Sequence, residues 1–88
     1  MNTIEKQIEN YRWNVWALRT NKGWSQEMLA EAAGISRVTI SRIESGKREE
    51  GGLHTMLLIA AALGVSAGEM LETRAKPALL KPYLRKRR

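Results

Sequence analysis

The sequence of 88 residues contains no cysteine and a single histidine, His54. Without cysteine, neither a disulfide nor a thiolate metal site can staple the chain, and a histidine with no companion ligands gives metal binding little to build on. Long hydrophobic runs are also missing. The longest, Met56 to Leu63, falls well short of the roughly 20 residues a membrane span needs. The amino terminus lacks the basic-then-apolar pattern of a signal peptide. A cytoplasmic protein without membrane association is therefore expected. No stretch alternates β-branched and polar residues, so nothing argues for a sheet. Nor is there a nucleophile with its base, a phosphate-cradling loop or an acid pair, so neither an enzyme nor a cofactor is expected.

What is present suits one compact all-α domain, since 43% of the residues are hydrophobic. A domain of this size buries only about 60 to 65% of its unfolded surface and is marginal alone, which makes a homodimer an economical expectation. The net charge of +6 is unevenly placed. From Thr73 to Arg88 there are seven bases (Arg74, Lys76, Lys81, Arg85, Lys86, Arg87, Arg88) and no acid. Residues 1 to 72 hold the other eight Lys/Arg against all nine Asp/Glu, a formal charge of −1. Any nucleic-acid reading of that part must rest on where a few side chains point, because its bulk charge gives no support.

Apolar periodicity predicts five helices and a tail. Ile4, Ile8, Tyr11, Val15 and Leu18 line one face of a first helix, with Asn2 and Glu5 placed as a capping box and Gly23 at its end. Trp13 and Trp16 fall off that stripe, and large outward aromatics are expected to be covered by the tail or by a second subunit. Ser25 caps a second helix, with Trp24 and Leu29 in the positions of a hydrophobic staple. Leu29, Ala30 and Ala33 face inward. Gly34 turns the chain, Ile35 plugs the corner and Ser36 caps a third helix, whose Ile40 and Ile43 face the core. Gly46 ends it, and a charged loop follows to Gly52. A largely buried fourth helix is expected from Leu53 to Leu63. Ser66 and Glu69 form a capping box opening a short fifth helix that buries Met70 and Leu71. Met28, Met56 and Met70 are expected to fill core or interface gaps. Pro77 and Pro82 interrupt the apolar residues that follow.

Helices two and three together read as a helix-turn-helix for duplex DNA. A helix enters the major groove only if its outer face carries few bulky obstructions, and Ser41 and Ser45 meet that need. Arg37 and Arg42, just over one turn apart, are spaced to reach bases a few steps apart, each able to bind guanine O6 and N7 with two hydrogen bonds. Val38 offers an apolar surface to a thymine methyl. The amino-terminal ends of both helices present N–H groups, which suits Ser25, Gln26 and Ser36 to phosphates that set register.

Leu18-Arg19, Gly23-Trp24-Ser25-Gln26, Leu29-Ala30, Gly34-Ile35-Ser36, Ile40-Ser41, Ile43-Glu44-Ser45-Gly46-Lys47 and the segment from Ile59-Ala60 to Leu63-Gly64-Val65 together resemble the phage repressor and Cro type of bacterial regulator, the Xre family. The likeness runs over roughly residues 14 to 72. It implies a five-helix lambda-repressor-like fold, a recognition helix from Arg37 to Ser45, phosphate contact by Gln26, and a two-fold dimer on a pseudo-palindromic operator. It also implies that Arg19 pairs with Glu44, tying helix one to helix three. Where family members commonly carry proline or hydroxyl residues this chain has Gly51 and Gly52, and Glu49 and Glu50 stand where polar or basic residues are common. Phosphate contacts around that loop are thus confined to Ser45, Lys47 and Arg48.

The expected organisation is a DNA-binding domain over residues 1–72 and a basic C-terminal tail over 73–88. The leading expectation is a dimeric, sequence-specific transcriptional regulator acting as a repressor, with double-stranded DNA as partner. Two alternatives stand beside it: the antitoxin of a toxin pair that also represses its operon, and a restriction-modification controller. An antitoxin needs a surface for its protein partner, and Trp13, Trp16, Leu79, Leu80, Tyr83 and Leu84 are the candidates for that or for the dimer face. The tail itself is open among a DNA-backbone arm, an RNA or membrane-surface patch, a partner-binding segment and a solubilising end.

Overall fold

The computed structural model describes residues 3–46 and 52–77. Asn2, Lys47, Arg48, Leu79, Leu80, Tyr83 and Leu84, each given a role above, lie outside them. The described residues form five helices and no strand: α1 (Thr3–Asn21), α2 (Gln26–Ala33), α3 (Arg37–Ser45), α4 (Gly52–Leu63) and α5 (Ala67–Glu72).

Hydroxyl caps set where three of the helices begin. Ser25, Ser36 and Ser66 are extended, and each side chain accepts the N–H three residues on, from Met28, Thr39 and Glu69. Such a cap satisfies one of the four amides that a helix start leaves unpaired, worth about 1 kcal/mol. Two ends are equally defined. Gly34 and Gly46 adopt φ of 75° and 73°, and their N–H groups close back on α2 and α3. A side chain would be strained in that left-handed region. Gly46 has a further reason: a Cβ there would stand 3.0 Å from Arg12 Nη1, so the Arg12 side chain lies against the end of α3.

The core is one cluster of Val15, Leu29, Ala30, Ala33, Ile40, Ile43, Ile59, Ala60, Leu63 and Met70, flanked by Tyr11, Leu18, Trp24 and Ile35. Leu29 and Ile40 are fully buried, so the α2–turn–α3 unit is clamped by side chains worth roughly 1.5 to 3 kcal/mol each. α1 packs on α5 and α3, while α2 packs on α3 and α4.

Three expectations change. The inward line of α1 is not purely apolar: Ile4 is exposed, whereas Asn10 and Asn14 are only 3% and 2% exposed. They cap α5 from outside. The last carbonyls of a helix have no intrahelical donor; Asn14 Nδ2 donates to Met70 O (2.9 Å) and Asn10 Nδ2 to Leu71 O (2.7 Å). α4 buries Ile59, Ala60 and Leu63, but Leu53 is 66% exposed and Leu57, one turn on, is exposed too. A helix at the edge of a small domain touches the core along one stripe only. Met28 is exposed as well, its sulfur accepting the Ser25 N–H at 3.5 Å, so it closes a capping box instead of filling the core.

Tyr11 supplies a test of core polarity. Its hydroxyl is buried without a hydrogen-bond partner among the described residues, and burial raises its pKa to about 12. The unfolded chain releases this proton near pH 10, so the group erodes stability as pH rises from 10 towards 12. Tyr11→Phe is expected to match or exceed the parent by up to about 1 kcal/mol at pH 7. Urea unfolding at pH 7 and pH 11 checks this, with a smaller loss between the two expected for the variant.

Candidate nucleic-acid interface

The third helix presents two unlike faces because its residues repeat every 3.6 positions. Ile40 and Ile43 are buried, while Arg37, Val38 and Arg42 stand exposed and Ser41 is half-buried between them. Thr39, half-buried at the flank, has its backbone N–H bonded to the Ser36 hydroxyl at 3.2 Å. Bulk is therefore low along the centre of the outward face, with a guanidinium towards either end.

Glu44 is the one acid on this helix, and left outward it would repel phosphates. Instead its carboxylate accepts Arg19 Nε at 2.7 Å and Nη2 at 2.9 Å, a two-pronged pair whose side chains are 11% and 8% exposed. Arg19 also donates to Trp24 O at 2.7 Å, so one guanidinium joins α1, the turn before α2, and α3. The same carboxylate accepts Gln26 Nε2 at 3.0 Å, and Gln26 Oε1 accepts Arg37 Nη1 at 3.5 Å. A polar chain thus runs from α1 to the exposed start of α3. It holds the α2 amino terminus against the start of α3.

The other phosphate candidates differ in what they have left to offer. Ser25 and Ser36 are exposed, but their hydroxyls already serve as helix caps. Beside them the first amides of α2 and α3 have no intrahelical carbonyl and suit an anion. The Ser45 hydroxyl donates to Arg42 O at 3.1 Å, so its proton is engaged within the helix. Gln26 uses one amide hydrogen on Glu44 and, among the described residues, keeps the second.

Trp13 and Trp16 adjoin, with ring centres 5.1 Å apart, and both are half-buried. Trp13 is covered from within the chain: its Nε1 donates to Ala75 O at 2.7 Å, and the Arg74 guanidinium lies 5.9 Å from its ring centre. The two rings, with Arg12, Glu44 and Arg74, line an open groove of about 380 Å³. Periodicity overlooked Arg12, although its spacing of seven from Arg19 puts both on the side of α1 that faces α3.

The sequence profile of the helix-turn-helix family matches residues 17–70. A hypothetical transcription factor of Neisseria meningitidis serogroup B is 44% identical over 59 residues, covering 67% of this chain and 55% of the relative. The HTH-type transcriptional regulator PrtR of Pseudomonas aeruginosa is 54% identical over 41 residues, covering 47% of this chain and 15% of that protein. The crystal structure of the hypothetical transcription factor NHTF from Neisseria superposes with a TM-score of 0.68 at 33% identity, over 96% of this chain and 90% of its own.

Proposed function

Because this chain belongs to the helix-turn-helix family of the Xre, or repressor and Cro, type, we propose that it is a cytoplasmic, sequence-specific transcriptional repressor that binds duplex DNA as a homodimer. α3 lies in the major groove with Arg37, Val38, Ser41 and Arg42 facing base edges. Ser25, Gln26, Ser36, Lys47 and Arg48 set its register on phosphates, while Ser45 offers only its oxygen lone pairs or, after rotation, its proton. Two copies place their recognition helices about 34 Å apart on a two-fold pseudo-palindrome.

The observation that carries this reading is the division of charge on α3. Both arginines are exposed, and the acid of the same helix is drawn into a pair with Arg19. A near-neutral domain cannot rely on bulk attraction to DNA, so discrimination falls on individual contacts.

Selection of bound sequences from a random duplex pool tests the proposal and reports half-site and spacing together. Against the selected site, Arg42→Ala is expected to cost about 1 to 3 kcal/mol per half-site and to relax preference at one base pair of each. Unchanged affinity together with an unchanged selected sequence would remove α3 as the reading element.

A further inference from the structure

One long stretch is without charge in a chain of which 27% of the residues are charged. From Gly51 to Gly68 there is no Lys, Arg, Asp or Glu, and these residues include the whole of α4. A fully buried helix needs no charge, but α4 is buried only along Ile59, Ala60 and Leu63. Leu53, Leu57 and Ala61 stand exposed. At about 100° per residue these three fall within roughly 80° of one another, so they form one apolar stripe along the helix. The outer side of a solvated helix normally carries charge, whereas the centre of a protein interface is depleted of it.

The order of sizes along the stripe selects the partner that fits it. A two-fold axis crossing α4 at Leu57, at right angles to the helix, lays a second α4 antiparallel on the first. Leu57 then meets its own copy, and on either side of the axis Leu53 meets Ala61 of the other chain. Large thus lies opposite small, the arrangement that lets facing helices interdigitate. A parallel pair would set Leu53 on Leu53 and Ala61 on Ala61, crowding one end and leaving a gap at the other. It would also align the two helix dipoles, which an antiparallel pair opposes. With no charge on α4, such self-pairing sets none of its side chains against a like charge.

We propose that this chain dimerises through the outer stripe of α4, packed antiparallel on the α4 of a second copy about a two-fold axis at Leu57. This rests on the homodimer reading above and names its face. A helix of 12 residues is about 18 Å long and covers less than the roughly 800 Å² per partner of a standard interface. The free dimer is therefore a weak one, with a Kd in the micromolar range.

The chain has no cysteine, so a single introduced thiol reports its position without ambiguity. Under mild oxidation of the full chain, Leu57→Cys is expected to link to itself. Leu53→Cys is expected to link to Ala61→Cys when the two proteins are mixed, while neither of those links to itself. Sedimentation supplies the second readout. Leu57→Glu is expected to weaken dimerisation by about a hundredfold or more, because two carboxylates then face each other at the axis in place of an apolar contact. Leu57 is 47% exposed, so the monomer accommodates the carboxylate, and an unchanged helical circular dichroism spectrum checks this. If that variant fails to fold, the thiol pattern decides. A dimer that keeps its strength in Leu57→Glu, or that links Leu53→Cys to itself, overturns the proposal and leaves the homodimer reading standing. A parent chain that stays monomeric at millimolar concentration overturns both. Slow maleimide labelling of Leu57→Cys would then assign the face to residues 78–88 of the same chain, and fast labelling would leave it to water. Dimers with the expected linkage, from a chain that selects no duplex, would sustain this proposal and remove the DNA-binding reading.

Discussion

Replacing Glu44 by alanine is expected to destabilise the domain by about 3 to 5 kcal/mol, because it strands the largely buried Arg19 guanidinium. Arg19 retains the Trp24 carbonyl, but a carbonyl dipole does not balance a full charge held out of water. Against a total of about 5 to 15 kcal/mol for an ordinary domain, such a loss removes much of the margin. The thermal midpoint is expected to drop by about 12 to 40 °C, at 4 to 8 °C per kcal/mol for a domain this small. The double variant Arg19→Met with Glu44→Leu separates a stranded charge from lost packing. It removes both ions and is expected to recover most of the stability, since buried pairs often only break even against apolar residues. A double variant no more stable than Glu44→Ala would show that the pair contributes attraction beyond its desolvation cost. DNA affinity gives a second readout. Loss of Glu44 frees Gln26 from one anchor, so the double variant is expected to fold yet bind its site more weakly.

Asn14→Ala is expected to cost about 2 to 4 kcal/mol. Asn14 donates to Met70 O and Thr73 O, more distantly to Glu69 O at 3.4 Å, and accepts the Ala75 N–H, so one side chain serves four backbone groups between Glu69 and Ala75. Each such group left dry and unpaired costs about 1 to 3 kcal/mol, and release of residues 73–77 into water limits the total. Hydrogen exchange at the Ala75 amide is expected to accelerate in step with the loss of stability; an amide that stayed protected would mean that residues 73–77 have another anchor. Asn14→Asp keeps the shape but places an acceptor-only carboxylate against carbonyl oxygens, which favours its protonated form in the folded state. Its unfolded-state pKa is near 4, so stability is expected to decline as pH rises above about 4, whereas Asn14→Ala adds no such slope.

Local chemistry made the α2–turn–α3 unit and the start of α5 legible. Ser25, Ser36 and Ser66 sit where hydroxyl caps belong, Gly34 and Gly46 where a left-handed residue is needed, and Ile40 and Ile43 keep the helical period. Those signals act within a few residues and do not depend on the rest of the chain. Elsewhere the same rule misled. Ile4 keeps the spacing of a core face and Leu53 opens a helix expected to be largely buried, yet both are exposed, because α4 meets the core along a narrow stripe and the inward side of α1 is partly given to Asn10 and Asn14. Asn10 and Asn14 went unnoticed because mid-helix asparagine is merely a poor helix former in isolation. Their partners lie more than fifty residues away.

Residue order was enough for the all-helical fold of the described residues, the starts and ends of the central helices, the outward pair Arg37 and Arg42, and the concentration of positive charge after residue 72. All of these follow from propensity, capping and counting, which are local or additive. Long-range packing is what joins Glu44 to Arg37 through Gln26, closes Trp13 with Ala75, and holds the chain after α5 along α1 through Asn14 and Asn21. Those are long-range hydrogen bonds. They form because burial makes an unpaired polar group costly, and only the folded packing determines which groups are buried together.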